Sequence, residues 1–263
     1  MRSLQGALDW RVRNHMADMT DTIHPKARYP RDAASLILLR NADGEPEILM
    51  GRRPTKQAFM PDVYVFPGGA VDRRDGFAES ASEYHPAVAG ALTRHCTTHR
   101  ARAIGLAAIR ETFEETGLMF GDPGDWSHGI PPPGWGPFAD AGIKPALGAL
   151  GFVARAITPK GPPRRFHARF FVGDARHLRG QLRATDELLD VRWIPLSEMA
   201  DVPMASVTEL VIQEVRLGLA RQPEEDSRQG IPVITRRMGR RVVRYETGGG
   251  RIIRGMFEGA ARS

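Results

Sequence analysis

The sequence predicts an α/β fold, a mixed sheet packed between helices, on three observations. Two β-prone runs, Ala33 to Arg40 and Glu47 to Arg52, flank the turn residues Asn41-Ala42-Asp43-Gly44. Leu106, Ile109 and Phe113 recur at helical spacing and Gly117 follows as a stop. Later, the strand-like runs Phe166 to Val172 and Val191 to Pro195 precede a helical stretch, Thr208 to Ala220, with Ser197 as an expected cap of the turn between. Segments that alternate in this way bury their apolar faces best as layers.

The remaining elements follow in chain order. Val63 and Val65 alternate with bulky neighbours, so Val63 to Phe66 reads as a short strand ending at the Gly68-Gly69 pair, where the backbone can turn and approach an ion or ligand. Gly121 to Gly148, rich in glycine and proline around Trp126 and Trp135, reads as a long irregular connection. In the tail, Val233 to Tyr245 reads as two short strands around Met238-Gly239, a hairpin on a sheet edge.

Composition sets outer bounds. The 263 residues, 41% hydrophobic and 26% charged, suffice for a full core. No run approaches the roughly 20 apolar residues of a membrane span. Met1 to Met19 lacks the apolar core of a secretion signal, and Ala261-Arg262-Ser263 is not a Ser-Lys-Leu address, so the expected location is cytoplasmic. The single Cys96 forms no internal disulfide, and with His85, His95 and His99 it reads as a group of polar loop residues rather than a zinc site. Residues 231 to 263 hold eight arginines against Glu246 and Glu258, a surplus equal to the whole net charge of +6. That tail is either a charged guard on an edge strand or a site for an anionic substrate or nucleic acid.

The chemistry is concentrated in Arg110-Glu111-Thr112-Phe113-Glu114-Glu115-Thr116-Gly117. On a helix Glu111, Glu114 and Glu115 lie side by side and repel one another. No basic residue is expected on their face, and the ridge is expected to point away from the packed side. Such a ridge suits a hard divalent cation, which prefers carboxylate oxygens. A carbonyl of Gly68 or Gly69 could complete the shell, and clustering raises the pKa of at least one acid.

Together, Gly69 and Arg110 through Leu118 resemble the signature of the Nudix hydrolases. Asp75 stands six residues after Gly69, where the family carries glutamate, and Thr112 replaces an aliphatic residue at what reads as the helix flank. Between Asp75 and Arg110 lie 34 residues, Gly76 to Ile109, where the family has a short spacer. One branch, the peroxisomal coenzyme A diphosphatases and their bacterial relatives, carries a long insertion there. Arg52-Arg53-Pro54, Phe59-Met60-Pro61, Phe66-Pro67-Gly68-Gly69 and Pro163 to Phe171 are similar to that branch, which often has an acid in place of His167. Of the arginine, arginine and glycine that precede the glycine pair in coenzyme A-cleaving members, Arg53 matches, while Ala58 and Asp62 do not.

The resemblance implies an α/β/α sandwich over residues 31 to 222, with an insertion at about 76 to 100, an extension over 1 to 30 and a basic extension over 223 to 263. It implies hydrolysis of a diphosphate bond in a nucleoside diphosphate linked to another moiety, coenzyme A or acyl-CoA being favoured, with Mg²⁺ or Mn²⁺ as cofactor. Glu111, Glu114, Glu115 and Gly69 would hold the metal, and Arg53, Phe66, Gly68 and Gly69 would contact substrate. Glu111 or Glu115 would be the base, Glu187 and Asp190 being later-loop candidates, and Arg110 would orient the glutamates. The expected partner is a small nucleotide-linked substrate, with nucleic acid on the Arg-rich tail or a homodimer as further options and no membrane. The alternative is a catalytically silent Nudix fold that binds a nucleotide or nucleic acid.

Overall fold

The computed structural model describes residues 29–56, 61–127, 129–162, 164–183, 185–237, 240–247, 253 and 257. Residues 1–28, Ala58, Phe59, Met60, Met238 and Gly239 lie outside the described residues, and with them the N-terminal extension and the hairpin turn.

In chain order the strands are β1 (Arg31–Arg40), β2 (Glu47–Arg52), β3 (Tyr64–Val65), β4 (Gly68–Ala70), β5 (Leu118–Pro123), β6 (Ile143–Pro145), β7 (Gly151–Ile157), β8 (Phe166–Asp174), β9 (Leu178–Gly180), β10 (Leu189–Pro195), β11 (Ile231–Arg237) and β12 (Arg240–Glu246). The helices are α1 (Pro86–Thr93), α2 (Thr98–Thr116), α3 (Gly136–Asp140), α4 (Ser206–Ala220) and α5 (Pro223–Arg228). The main sheet runs β10-β2-β1-β8-β7-β11-β12, with β3 on β2 and β4 on β1, and β6-β5-β9 form a smaller sheet. The β1/β8 and β7/β11 pairs are parallel and the other pairs are antiparallel, so the sheet is mixed.

β1 shows why the sheet sits between helices. Leu36 and Leu38 pack with Leu106 and Ile109 of α2, while Ile37 and Leu39 pack with Val211, Ile212 and Val215 of α4. A strand covered on both faces reads as a continuous apolar run rather than an alternating one. The turn into β2 closes with the Gly44 N–H donating to the Asn41 carbonyl at 3.0 Å, and Asn41 adopts φ 55°. Asparagine tolerates that left-handed conformation better than most residues.

Four expectations give way to the structure. The Gly68-Gly69 pair does not merely end a strand: it forms β4, with Gly69 opposite Ala34 and Gly68 opposite Ser35. Gly121 to Gly148 is not an irregular connection but contains α3 and β6, and Trp135 and Phe138 are fully buried in the core. Their aromatic area outweighs the local glycine and proline content. Ser197 lies inside a 3₁₀ turn, Leu196–Asp201, rather than at its cap, which is Pro195. Thr112 is fully buried and satisfies its hydroxyl on the Ala108 carbonyl at 2.7 Å, so it belongs to the core rather than the helix flank.

The tail does form a hairpin at the sheet edge. It is tied to the body at its open end. Glu246 pairs with Arg155 of β7 and, at 2.9 Å, with His95, while Arg94 donates to the Thr247 carbonyl at 2.5 Å. Tyr245 donates to Glu214 of α4 at 2.7 Å.

Candidate active site

α2 carries the three glutamates. Its first turn is capped by the Thr97 hydroxyl, which accepts from the Arg100 N–H at 3.3 Å, and its last by Gly117 at φ 77°. A Cβ at Gly117 would fall 2.8 Å from the Gln181 carbonyl, so the stop requires glycine both for conformation and for space.

β4 lies directly against the acids. The Gly68 N–H donates to Glu115 Oε2 at 2.8 Å. A Cβ at Gly69 would fall 2.2 Å from Glu111 Oε2, and one at Gly68, where φ is 154°, would fall 2.4 Å from the Ala34 carbonyl. The pair therefore serves close approach of backbone to carboxylate.

Arg110 overturns the expectation that the acids stand without a basic neighbour. Its guanidinium donates to Asp75 at 2.8 and 3.2 Å, to Glu114 at 2.7 Å and to the Ala70 carbonyl at 3.1 Å, and it pairs with Glu111 at 2.9 Å. Burial disfavours the Arg110 charge, but the hydrogen bond with Asp75 and the surrounding carboxylates outweigh it and hold the group firmly cationic. Asp75, 1% exposed, also accepts from the Asp72 N–H at 2.9 Å, so the start of the insertion is pinned to α2. The 34 intervening residues form α1 and the upstream turns of α2 without separating the two halves of the site.

The acids are also less exposed than a solvated ridge. Glu115 is 7% exposed, whereas the Glu114 side chain is 43% exposed. Burial pushes the Glu115 carboxyl up to about 8 against the opposing Gly68 hydrogen bond, with Glu111 and Glu187 adding to the rise and Arg53 countering it. Burial likewise raises Glu111, partly offset by Arg110. Next to these groups opens a cleft of about 360 Å³ lined by Arg31, Asp72, Arg74, Arg110, Glu111 and Glu114, with Gly134 at its wall. Arg31 and Gly134 carried no motif that would have marked them. A Cβ on Gly134 would meet the Arg110 side chain at 2.6 Å.

The other expected residues divide. Arg53 is brought to the site: burial lowers its pKa, and the fields of Glu115 and Glu187 oppose that shift. Glu187 therefore lies within electrostatic reach of the acids. Asp190 is committed elsewhere, since it adopts φ 46° and accepts from the Tyr64 hydroxyl. Phe66, expected to contact substrate, is 4% exposed and packs edge-on against Phe170, which makes it a core residue. His85 caps α1, His95 meets Glu246 and His99 lies against Phe77, so these side chains face different partners.

The donor set fits a hard divalent cation, being all oxygen and in part too buried to ionise alone. Among the described residues no three His, Cys, Asp or Glu side chains converge as a metal cage; Glu111 and Glu114 pair with Arg110, and Glu115 accepts from the Gly68 N–H.

The solved NUDIX hydrolase from Alicyclobacillus acidocaldarius superposes over 70% of this chain and 90% of its own, with a TM-score of 0.52 and 25% identity. The fold is that of the Nudix hydrolases. Over 146 residues the chain is 31% identical to the Acyl-coenzyme A diphosphatase NUDT19 of Gallus gallus, covering 44% of this chain and 38% of that one. Over 89 residues it is 35% identical to the Putative nudix hydrolase 7 of Caenorhabditis elegans, covering 34% of this chain and 22% of that one. The chain thus spans well under half the length of these curated relatives. No family model matches it.

Two departures from the coenzyme A-cleaving Nudix pattern acquire a physical reading. Asp62 adopts φ 57°, a left-handed conformation that aspartate tolerates better than most residues, and pairs with Arg52 at 3.0 Å. His167 sits against Arg155 at 3.0 Å, and burial together with Arg169 and Arg155 drives its pKa down to about 3. The carboxylate facing Arg155 comes instead from Glu246 of the hairpin. Among the described residues no helix is long and apolar enough to cross a membrane.

Proposed function

We propose that this chain hydrolyses the diphosphate bond of a nucleoside diphosphate linked to a second moiety, with Mg²⁺ or Mn²⁺, and that coenzyme A or acyl-CoA is the favoured substrate class. The observation that carries the reading is the 2.8 Å contact between Arg110 and Asp75, which brings the halves of a split motif together against the Gly68-Gly69 strand. The name of the Gallus gallus relative, an acyl-coenzyme A diphosphatase, supports the substrate class.

A diphosphate repels nucleophiles because its oxygens are negative, so catalysis needs charge neutralisation and an in-line water. Held by Glu111, Glu114, Glu115 and a Gly69 carbonyl, the cation would supply that neutralisation and make the attacking water easier to deprotonate. The chain's own groups do the rest. Arg110, anchored by Asp75, fixes Glu111 and Glu114 by charge-assisted hydrogen bonds. The Gly68 N–H holds one oxygen of Glu115, which burial keeps protonated near neutral pH without a cation and which, beside a bound cation, would ionise into the form that can take up the water proton. Glu111 is the other base candidate, and Glu187 stands close enough to tune Glu115. Arg53 contributes positive charge beside the acids.

Incubation with Mg²⁺ and a panel of coenzyme A, acyl-CoA, NADH, ADP-ribose and dinucleoside polyphosphates tests the proposal. Cleavage at the diphosphate of coenzyme A or its thioesters is expected. Cleavage of another member alone would retain the chemistry and reject the substrate class, and no cleavage of any would reject both.

A further inference from the structure

The sheet register brings a row of cations to one end of the molecule. Arg31 begins β1 opposite Phe166 at the start of β8, Ile157 at the end of β7 pairs with His167, and β11 runs parallel to β7, so Arg237 ends at the same edge as Arg31. β12 then starts there at Arg240. Lys160 and Arg164 lie on the β7–β8 connection at that edge. Arg31, Lys160, Arg164, Arg236, Arg237 and Arg240 are all exposed. Among the described residues none of these side chains forms an ion pair, and neither segment 157–166 nor segment 231–241 contains an acid.

The hairpin tip is the most telling part. Arg236 stands directly opposite Arg241, and Arg237 opposite Arg240. Like charges at directly paired positions oppose strand association. Two such rungs in succession are costly for a structural guard, which one charge per rung would provide. They are favourable when phosphates lie between them.

From β1 to β12 the row crosses four strand gaps, roughly 20 Å at about 4.8 Å each. A lone diphosphate engages only a few of these donors, whereas a chain of phosphates matches the row's length and spread. Arg31 at one end also lines the cleft. We infer that this edge, from the cleft mouth to the hairpin tip, is a binding track for the phosphate backbone of a single-stranded nucleic acid. The inference does not rest on the hydrolytic reading, because the hairpin and the β7–β8 connection lie outside the acid site.

Fluorescence anisotropy of a labelled single-stranded oligonucleotide of about 12 residues, titrated with the intact chain between about 50 and 200 mM salt, is the test. Binding that weakens steeply with salt is expected. The triple substitution R236A/R237A/R240A should weaken it about tenfold or more and flatten the log–log salt slope by about 2, since each lost phosphate contact on a single strand removes about 0.7. K160E/R164E, on a different segment, should weaken it comparably, and R236K/R237K/R240K should retain most of it. Hydrolysis of small diphosphates should not change in the triple variant. Absence of binding at the lowest salt, or unchanged affinity in both the alanine and the charge-reversal variants, would overturn the inference. So would binding to phosphatidylserine vesicles without binding to the oligonucleotide.

Discussion

Arginine does opposite work at two places in this molecule. Arg110 is enclosed by Asp75, Glu111 and Glu114, and every contact holds a piece of the candidate site in register. Arg236, Arg237 and Arg240 face other arginines across a hairpin and have no acid within their segment. The first environment converts charge into rigidity, because a desolvated ion with complete partners is costly to disturb. The second leaves charge free for a ligand. Net charge alone conceals this, since the surplus of +6 is carried entirely by residues 231 to 263 while the working acids sit in a segment of balanced charge.

The largest effect should come from breaking the enclosed arginine. Arg110→Met leaves Asp75 and Glu111 as buried carboxylates without their counter-charge, and denaturant unfolding should show a loss of about 3–5 kcal/mol. A loss below the effect of an ordinary surface substitution would mean that the cluster is not a rigid centre.

Glu115 should respond in the other direction. Its carboxyl is raised from about 4.5 in the unfolded chain to about 8 in the fold, so the folded state holds the extra proton between those values. Stability of the metal-free protein therefore falls as pH rises through that window. Glu115→Gln should raise metal-free stability above pH 8 by on the order of 2–4 kcal/mol and leave it little changed near pH 4. A pH-independent effect would contradict the buried, protonated carboxyl.

His167 sharpens the link between the sheet and the hairpin. Its pKa falls from 6.5 to about 3 on folding, so below about 6.5 the unfolded chain takes up a proton that the folded chain does not. Stability should then fall as pH drops from 6.5 toward 3, and His167→Gln should remove on the order of 1 kcal/mol of the loss between pH 7 and 5, read from melting curves. The smallest effect belongs to the tip. Arg237→Thr relieves one like-charge rung and should stabilise the protein by about 0.2–1 kcal/mol at low salt, the gain shrinking as salt is added.

Much of the frame was legible from local chemistry. The helix bearing the glutamates ends at Gly117 as its spacing implies, the β1–β2 hairpin turns at Asn41, and the basic tail pairs with itself. What escaped the sequence depends on distance along the chain or on what a side chain meets. Asp75 is 35 residues from Arg110, so nothing local indicates that it joins the cluster, whereas the Arg110–Glu114 pair has the i, i+4 spacing of a local helical ion pair that the expected unpartnered ridge passed over. Trp135 and Phe138 occupy a glycine- and proline-rich stretch whose composition suggests exposure, yet they are core residues. The Gly68-Gly69 pair was recognised as special, but its role as a strand lying on Glu111 and Glu115 required the register with β1. Arg31 reaches the cleft only because β1 begins beside it.

The most direct test of the central claim, that the acids gathered by Arg110 and β4 form a working diphosphatase site, is the steady-state rate of coenzyme A hydrolysis with Mg²⁺ and with chelator, for the wild-type chain and Glu115→Gln side by side. Cleavage at the diphosphate is expected, abolished by chelator and reduced by about 10²–10⁴-fold by the substitution in a folded protein. Equal rates in the two proteins, or hydrolysis indifferent to the cation, would contradict it.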